Sequence, residues 1–382
     1  MRNSMVKNVL VNGASGRIGR AVTFNLIQLI DQGNSELEFA AMNDPIGIDN
    51  IVDNLMAHDN THGKYDWRVE RTTSEMIEIK TNKGHFFIKA YAEKSLDRIP
   101  FKEDGIQIVE ECSGFFGDDK KEKGKIGARD FLKYGVETVI LSYPAKYADK
   151  SLVMGVNNNE YDAGKHRIIS NASCTTKAIA TPLKLMIDCG FDITALLMDT
   201  VHAATNSQNI LESLDNVSTH KTGAAIATAE LIPSLDGKMD GLSFRVPTTD
   251  GSFANAYLVA SHHQEMNAEK LNEFFRKYNK SKLYSERIAL FEGKEASTKR
   301  DIVGKTENSV MILDKTRVIR LPYTNARGKN TYLIGFVSGY DNEMGPPMDQ
   351  VLLTRYIANR NSKIVFHVPP IDPEDLKLPD HI

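Results

Sequence analysis

The chain has 382 residues, 41% of them hydrophobic and 25% charged, with a formal net charge of -3. This is globular composition with room for two cores, and it lacks the basic excess that nucleic acid or an anionic membrane surface would require. Three cysteines, Cys112, Cys174 and Cys189, form neither a disulfide framework nor a zinc spacing, so a reducing, cytoplasmic setting is expected and no metal site.

The first residues lack the apolar core of a secretory signal, and no run of 18 apolar residues predicts a membrane span. Asn8-Val9-Leu10-Val11 reads as a strand. Asn12-Gly13-Ala14-Ser15-Gly16-Arg17-Ile18-Gly19-Arg20 follows at once, and apolar residues then recur at helical spacing to Ile27. Strand, glycine turn and helix form the opening of a dinucleotide-binding βαβ unit. A second strand, Leu37 to Met42, ends in Asn43-Asp44, where the ribose-binding acid of such a unit belongs. Further strands are predicted at Ile106–Glu110 and Thr138–Leu141, with a helical stretch around Ile126 to Tyr134 between them. The alternation predicts an α/β domain with a parallel sheet.

Beyond Cys174 the pattern changes. An apolar periodic stretch runs from Ala178 to Met186. Strands are predicted at Ile193–Met198, Leu242–Pro247, Ala254–Val259 and Tyr332–Val337, with helices at Ala268–Lys277 and Met348–Ala358. This half reads as α+β with a mixed or antiparallel sheet, and the tail from residue 361 to 382 as extended.

Four places carry candidate chemistry. Gly13, Gly16 and Gly19 are spaced to let backbone amides approach a pyrophosphate at a helix N-terminus; the alternative is a tight turn that serves only close helix contact. Cys174, in Ser170-Asn171-Ala172-Ser173-Cys174-Thr175-Thr176, stands where a capped helix begins. The helix dipole there favours a thiolate nucleophile; a buried structural thiol fits the same local pattern. His202 follows an apolar strand and is placed to exchange a proton with such a thiol. Thr222-Gly223, before a helical run, and Arg245, inside an apolar strand, are candidate anion binders. The solvated face of a strand is the equal alternative for Arg245.

Taken together, these motifs resemble the phosphorylating glyceraldehyde-3-phosphate dehydrogenase family, of which the chain is read as a divergent member. The resemblance also rests on Asp59-Asn60-Thr61-His62-Gly63-Lys64, Glu111-Cys112-Ser113-Gly114, Ser142-Tyr143-Pro144-Ala145, Phe244-Arg245-Val246-Pro247-Thr248 and Tyr340-Asp341-Asn342-Glu343. It implies a Rossmann-type NAD-binding domain over 1–172, completed by a C-terminal helix at about 344–360, and a catalytic domain over 173–343. It implies that Cys174 attacks an aldehyde, that His202 takes the proton, and that phosphate releases an acyl phosphate from a thioester. By the same resemblance, Ser173, Thr175, Thr222 and Gly223 hold the attacking phosphate. Thr205 and Arg245 hold the substrate's own phosphate. Gly13, Gly16, Arg17, Ile18, Asp44, Lys94, Ser113, Ser142 and Asn342 contact NAD, and Asp44 disfavours NADP by charge. A homo-oligomer is implied, a tetramer before a dimer, working in glycolysis.

The chain departs from the family pattern at five places. The first glycine loop has one extra residue, Ala14-Ser15. Lys177 stands where the family usually has Asn. The segment from His202 to Thr222 is shorter than usual by roughly a dozen residues. Ser207 stands where an acidic residue is usual, and Met344-Gly345-Pro346-Pro347 where a Tyr is usual. These departures keep two other functions in view: the same chemistry on a related aldehyde phosphate such as erythrose 4-phosphate, and a non-catalytic nucleotide-binding regulator.

Overall fold

The computed structural model describes residues 6–116, 127–204, 216–281, 284 and 286–361. The chain divides into two compact units. The first holds the residues up to Leu152, Asn158–Ala172 and the stretch from Pro346; the second holds Val153–Asn157 and Ser173–Gly345.

The first unit is built on β1 (Lys7–Asn12), α1 (Arg17–Asp31), β2 (Leu37–Asn43), α2 (Ile48–Met56), β3 (Arg68–Arg71), β4 (Met76–Lys80), β5 (His85–Tyr91), β6 (Ile106–Glu111), β7 (Thr138–Leu141), β8 (Lys150–Ser151) and β9 (Ile168–Ser170). They form one nine-stranded sheet in the order β3-β4-β5-β2-β1-β6-β7-β9-β8. β1 pairs in parallel with β2 on one side and β6 on the other. The chain leaves β1 towards β2 and later returns to β1's opposite edge, so a topological switch point lies between β1 and β6. In open α/β sheets that is where a nucleotide binds. Val9, Leu10 and Val11 are fully buried, as expected of a central parallel strand covered on both faces; each burial stabilises by roughly 1.5–3 kcal/mol.

Two features differ from the sequence reading. The sheet is extended by β4, which runs antiparallel to both β3 and β5. These strands are short and mix charged with apolar residues, so their sequence gives little signal. Between β6 and β7 the predicted helical stretch is a 3-10 segment, Ala128–Tyr134, ended by Gly135 at φ 96°; Ile126 lies outside the described residues.

The second unit has α3 (Cys174–Asp188), β10 (Asp192–Ala203), β11 (Ser218–Lys221), α4 (Ala224–Leu231), β12 (Met239–Val246), β13 (Ser252–His262), α5 (Ala268–Tyr278), β14 (Ile288–Phe291), β15 (Ser309–Ile312), β16 (Arg317–Thr324) and β17 (Asn330–Tyr340). Its eight-stranded sheet runs β11-β12-β10-β13-β17-β15-β14, with β16 also paired to β17. β10 is parallel to β12 and antiparallel to β13, so this is the mixed sheet expected. Helix α3 packs on β10, β13, β15 and β17. Along β10, Leu196, Met198, Thr200 and His202 are buried while Leu197 and Val201 are exposed. The period of two therefore sets His202 on the buried side of the strand.

Helix α6 (Gly345–Asn361) ends the described chain, so Asn361 closes a helix rather than opening an extended tail; 362–382 lie outside the described residues. From α6, Gln350 Nε2 donates to Glu110 at 2.6 Å, and Thr354 also bonds Glu110. Among the described residues no helix is long and apolar enough to cross a membrane.

Candidate active site

In the first unit the turn after β1 closes tightly. Gly13 takes φ 77°, and its amide donates to Asn43 O at 2.8 Å. A Cβ on Gly13 would lie 2.7 Å from Ser113 N; one on Gly19 would lie 2.0 Å from Gly13 O. Glycine at both positions thus brings the turn, α1 and the end of β6 into contact. Gly16 caps α1 without any side-chain bond to its amides, which leaves the first turn suited to a pyrophosphate.

Asp44 follows β2 as expected. Its Oδ2 accepts from Ser15 Oγ at 2.5 Å and from Ser15 N at 3.3 Å. The extra loop residue therefore tethers the turn to the carboxylate read as the ribose partner. At the end of β6, Glu111 is buried and accepts from Asn12 Nδ2, Ser113 N, Ser113 Oγ and Gly114 N. Burial pushes its carboxyl up to about 7, against the pull of these donors. Asn12 and Glu111 are not among the residues predicted from sequence; they brace the two strand ends that flank the crevice. Ser142 N donates to Glu111 O, which sets Ser142 beside the same strand end. Lys94, after β5, is exposed. The cradle fits NAD: two glycines whose Cβ atoms would collide with backbone, an open helix start, and an acid at the end of β2.

The sequence Ala172-Ser173-Cys174 makes a sharp entry into α3, which belongs to the second unit. Ala172 has φ 52°, the one positive φ at a non-glycine among the described residues, and such strain gathers at functional sites. Ser173 caps the helix, its Oγ accepting from Thr176 N at 3.1 Å. Cys174 is the first residue of α3 and keeps partial exposure. Its Sγ lies 3.5 Å from His202 Nε2. His202 Nδ1 lies 2.7 Å from Ala203 O, an acceptor only, so Nδ1 carries the proton and Nε2 presents its lone pair to sulfur. Burial pushes His202 down to about 4, with Arg245 contributing and the Ala203 carbonyl opposing. The imidazole is therefore neutral near pH 7 and ready to accept a proton.

Arg245 is the register partner of His202 across β10 and β12. One arm of its guanidinium, Nη1, donates to Ala203 O at 3.3 Å, while its Nε is buried with no hydrogen-bond partner among the described residues. An orphaned buried donor beside the cysteine–histidine pair suits an anionic group. Thr175 Oγ1 pairs with Tyr340 Oη at 2.8 Å, and the Tyr340 ring meets His202 edge-on with centroids 5.9 Å apart. Tyr340, the last residue of β17, was not predicted as a site residue; its place at the end of an alternating strand, two residues before Asn342, is the signal for it. Ser252 Oγ accepts from Ala203 N and donates to Asn342 Oδ1, which ties Asn342 to the strand end that holds His202. Thr222 Oγ1 accepts from Ala224 N at 3.1 Å, and Gly223 caps α4, which packs on α3. Thr205 and Ser207 lie outside the described residues.

Both units fall within stretches of the chain that are similar to known proteins. A family model for the glyceraldehyde 3-phosphate dehydrogenase NAD binding domain matches residues 7–119, and one for its C-terminal domain matches 173–342. The chain belongs to the glyceraldehyde-3-phosphate dehydrogenase family. Glyceraldehyde-3-phosphate dehydrogenase of Streptomyces coelicolor is 33% identical over 93% of this chain and 100% of its own length. The enzyme of Geobacillus stearothermophilus is 33% identical and glyceraldehyde-3-phosphate dehydrogenase 1 of Bacillus subtilis 32%, each over 93% of this chain and 99% of the relative. The family's cofactor, NAD, is the one for which the first unit is built.

Proposed function

We propose that the protein oxidises glyceraldehyde 3-phosphate with NAD and inorganic phosphate to give an acyl phosphate. The observation that carries this reading is the 3.5 Å approach of Cys174 Sγ to the lone-pair nitrogen of His202, with the other ring nitrogen fixed by Ala203 O. The Cys174 sulfur adds to the aldehyde carbon and forms a hemithioacetal. His202 Nε2 takes the hydroxyl proton as the carbon is oxidised. Bound by the first unit, NAD would supply the hydride acceptor for this oxidation. The resulting thioester is attacked by a phosphate oxygen, the C–S bond breaks, and the Cys174 thiolate leaves. One aldehyde, one phosphate and one NAD thus become one acyl phosphate, one NADH and one proton.

The remaining roles follow the same proposal. Arg245 and Thr205 hold the substrate's phosphate; Ser173, Thr175, Thr222 and Gly223 hold the attacking one. Gly13, Gly16, Arg17, Ile18, Asp44, Lys94, Ser113, Ser142 and Asn342 contact NAD. Leu197 is 64% and Tyr257 52% exposed, and they are register partners on neighbouring strands. Apolar side chains side by side on an open sheet face support a homo-oligomer, and we favour a tetramer. A free reactive thiol suits a cytoplasmic, glycolytic setting.

The test is a panel of aldehydes with and without phosphate, using NAD and NADP in parallel. The proposal expects the highest kcat/KM for glyceraldehyde 3-phosphate, dependence on phosphate, and preference for NAD. A higher value for erythrose 4-phosphate would transfer the same chemistry to that substrate. NAD binding without turnover of any aldehyde would leave only the regulator.

A further inference from the structure

The extra residue in the first glycine turn brings a side chain to the end of β2. Successive amides of that turn fold back onto the strand end. Gly13 N and Ala14 N donate to Asn43 O at 2.8 and 3.3 Å, and Ser15 N donates to Asp44 Oδ2 at 3.3 Å. Ser15 is therefore held against Asp44 through the backbone as well as through its hydroxyl. Ser15 is half-buried and Asp44 is buried, so the pair is a fixed part of the turn.

The donors and acceptors of this pair can be counted. A carboxylate accepts about four hydrogen bonds, shared equally between its oxygens, and a hydroxyl donates one while its oxygen accepts up to about two. Asp44 Oδ2 accepts from Ser15 Oγ at 2.5 Å and from Ser15 N, which fills it. Oδ1 accepts from Ile46 N at 3.4 Å, which leaves it room for a single further donor. The adenosine ribose of NAD brings a pair of hydroxyl donors, so the carboxylate alone cannot take both. The Ser15 hydroxyl spends its proton on Asp44, and no donor reaches its oxygen among the described residues. That oxygen is the acceptor the diol still needs, next to the open position on Asp44.

We propose that Ser15 is a cofactor-binding residue: its hydroxyl oxygen accepts from one hydroxyl of the adenosine ribose of NAD while Asp44 Oδ1 accepts from the other. The residue that lengthens the turn is thus the one that completes the ribose site. The inference rests on Asp44 being the ribose partner in the proposed function.

The test is calorimetric titration of the full chain, without aldehyde, with NAD and with its 2′-deoxy and 3′-deoxy forms, each modified in the adenosine ribose. Binding alone is read, so the result is separate from that of the aldehyde panel. Wild type is expected to bind NAD about three- to tenfold more tightly than either deoxy form. Ser15→Ala is expected to lose about three- to tenfold in NAD affinity, and less than about twofold for the deoxy form that lacks the hydroxyl Ser15 accepts. Ser15→Thr keeps the hydroxyl and should stay within about twofold of wild type for NAD. Equal losses for all the cofactors in Ser15→Ala would mean that Ser15 only shapes the turn, and would overturn the proposal. So would wild-type NAD affinity in Ser15→Ala. Equal wild-type affinity for NAD and both deoxy forms would remove Asp44 as the ribose partner, and the inference with it.

Discussion

Replacing Gly19 with alanine adds one methyl group where α1 crosses the first turn. The new Cβ would lie 2.0 Å from Gly13 O, 2.8 Å from Gly13 C and 2.9 Å from Ala14 Cα. Ordinary contact begins near 3.4 Å, so the helix and the turn must separate by about 1.4 Å, the difference between those distances. Every opposing atom is backbone, so no side chain can swing aside. Alanine gains about 1 kcal/mol in helix propensity, while overpacking of this kind costs roughly 1–3 kcal/mol or more. We expect a net loss of about 1–2 kcal/mol in urea unfolding. Because the displaced turn is the one proposed to cradle the pyrophosphate, NAD affinity should fall at least about tenfold, or 1.4 kcal/mol. Calorimetric titration with NAD reads the second effect. Gly16→Ala is the control: its Cβ would stand 3.5 Å from Gly13 O at an ordinary φ of -68°, so stability without cofactor should change by less than about 0.5 kcal/mol. Wild-type NAD affinity and stability in Gly19→Ala, or equal destabilisation by both variants, would refute the reasoning.

Three further predictions concern the histidines. His202→Asn removes the proton acceptor and should lower kcat by about 10²–10⁴-fold with NAD affinity unchanged. In the wild type the neutral form is the active one and the folded value is about 4, so kcat/KM should show no His202 limb between pH 5 and 7, within about a unit; an acid limb at the free-histidine value would contradict the geometry. His262, also fully buried, is pushed down to about 4 by burial first and by His263 next. The unfolded state then binds more protons between that value and 6.5, so stability is present above 6.5 and lost as pH falls towards 4. Linkage gives about 2 kcal/mol lost between pH 7 and pH 5 from this group. Urea melts of His262→Gln should show that pH difference shrink by about this amount, and an unchanged difference would count against it.

The sequence made the central strands and the two chemical centres legible because each combines a periodic pattern with a punctuation residue. Val9-Leu10-Val11 before Gly13 predicts both β1 and the turn. Ser173 before the apolar run predicts the cap that starts α3 at Cys174. The apolar run Ile193–Met198 predicts a strand that leads to His202, but the register of β12 that brings Arg245 beside it is a long-range pairing no local window contains. Strands β3 to β5 escaped because short hairpins with one solvated face are governed by cross-strand contacts. Glu111 and Tyr340 escaped for a related reason: each is an ordinary strand-end residue until the neighbouring strands supply Asn12 and His202. Lys177 was visible as a departure, but its complete burial was not, since a lysine in a helix ordinarily points to water.

The central claim is that Cys174 carries a thioester between oxidation and phosphorylation. Mixing the protein with glyceraldehyde 3-phosphate and NAD in phosphate-free buffer isolates that intermediate. The account predicts a rapid burst of NADH approaching one per active site, an acyl adduct on the Cys174 peptide by mass spectrometry, and steady turnover once phosphate is added. Steady NADH formation without phosphate, or a burst that persists in Cys174→Ser, would contradict it.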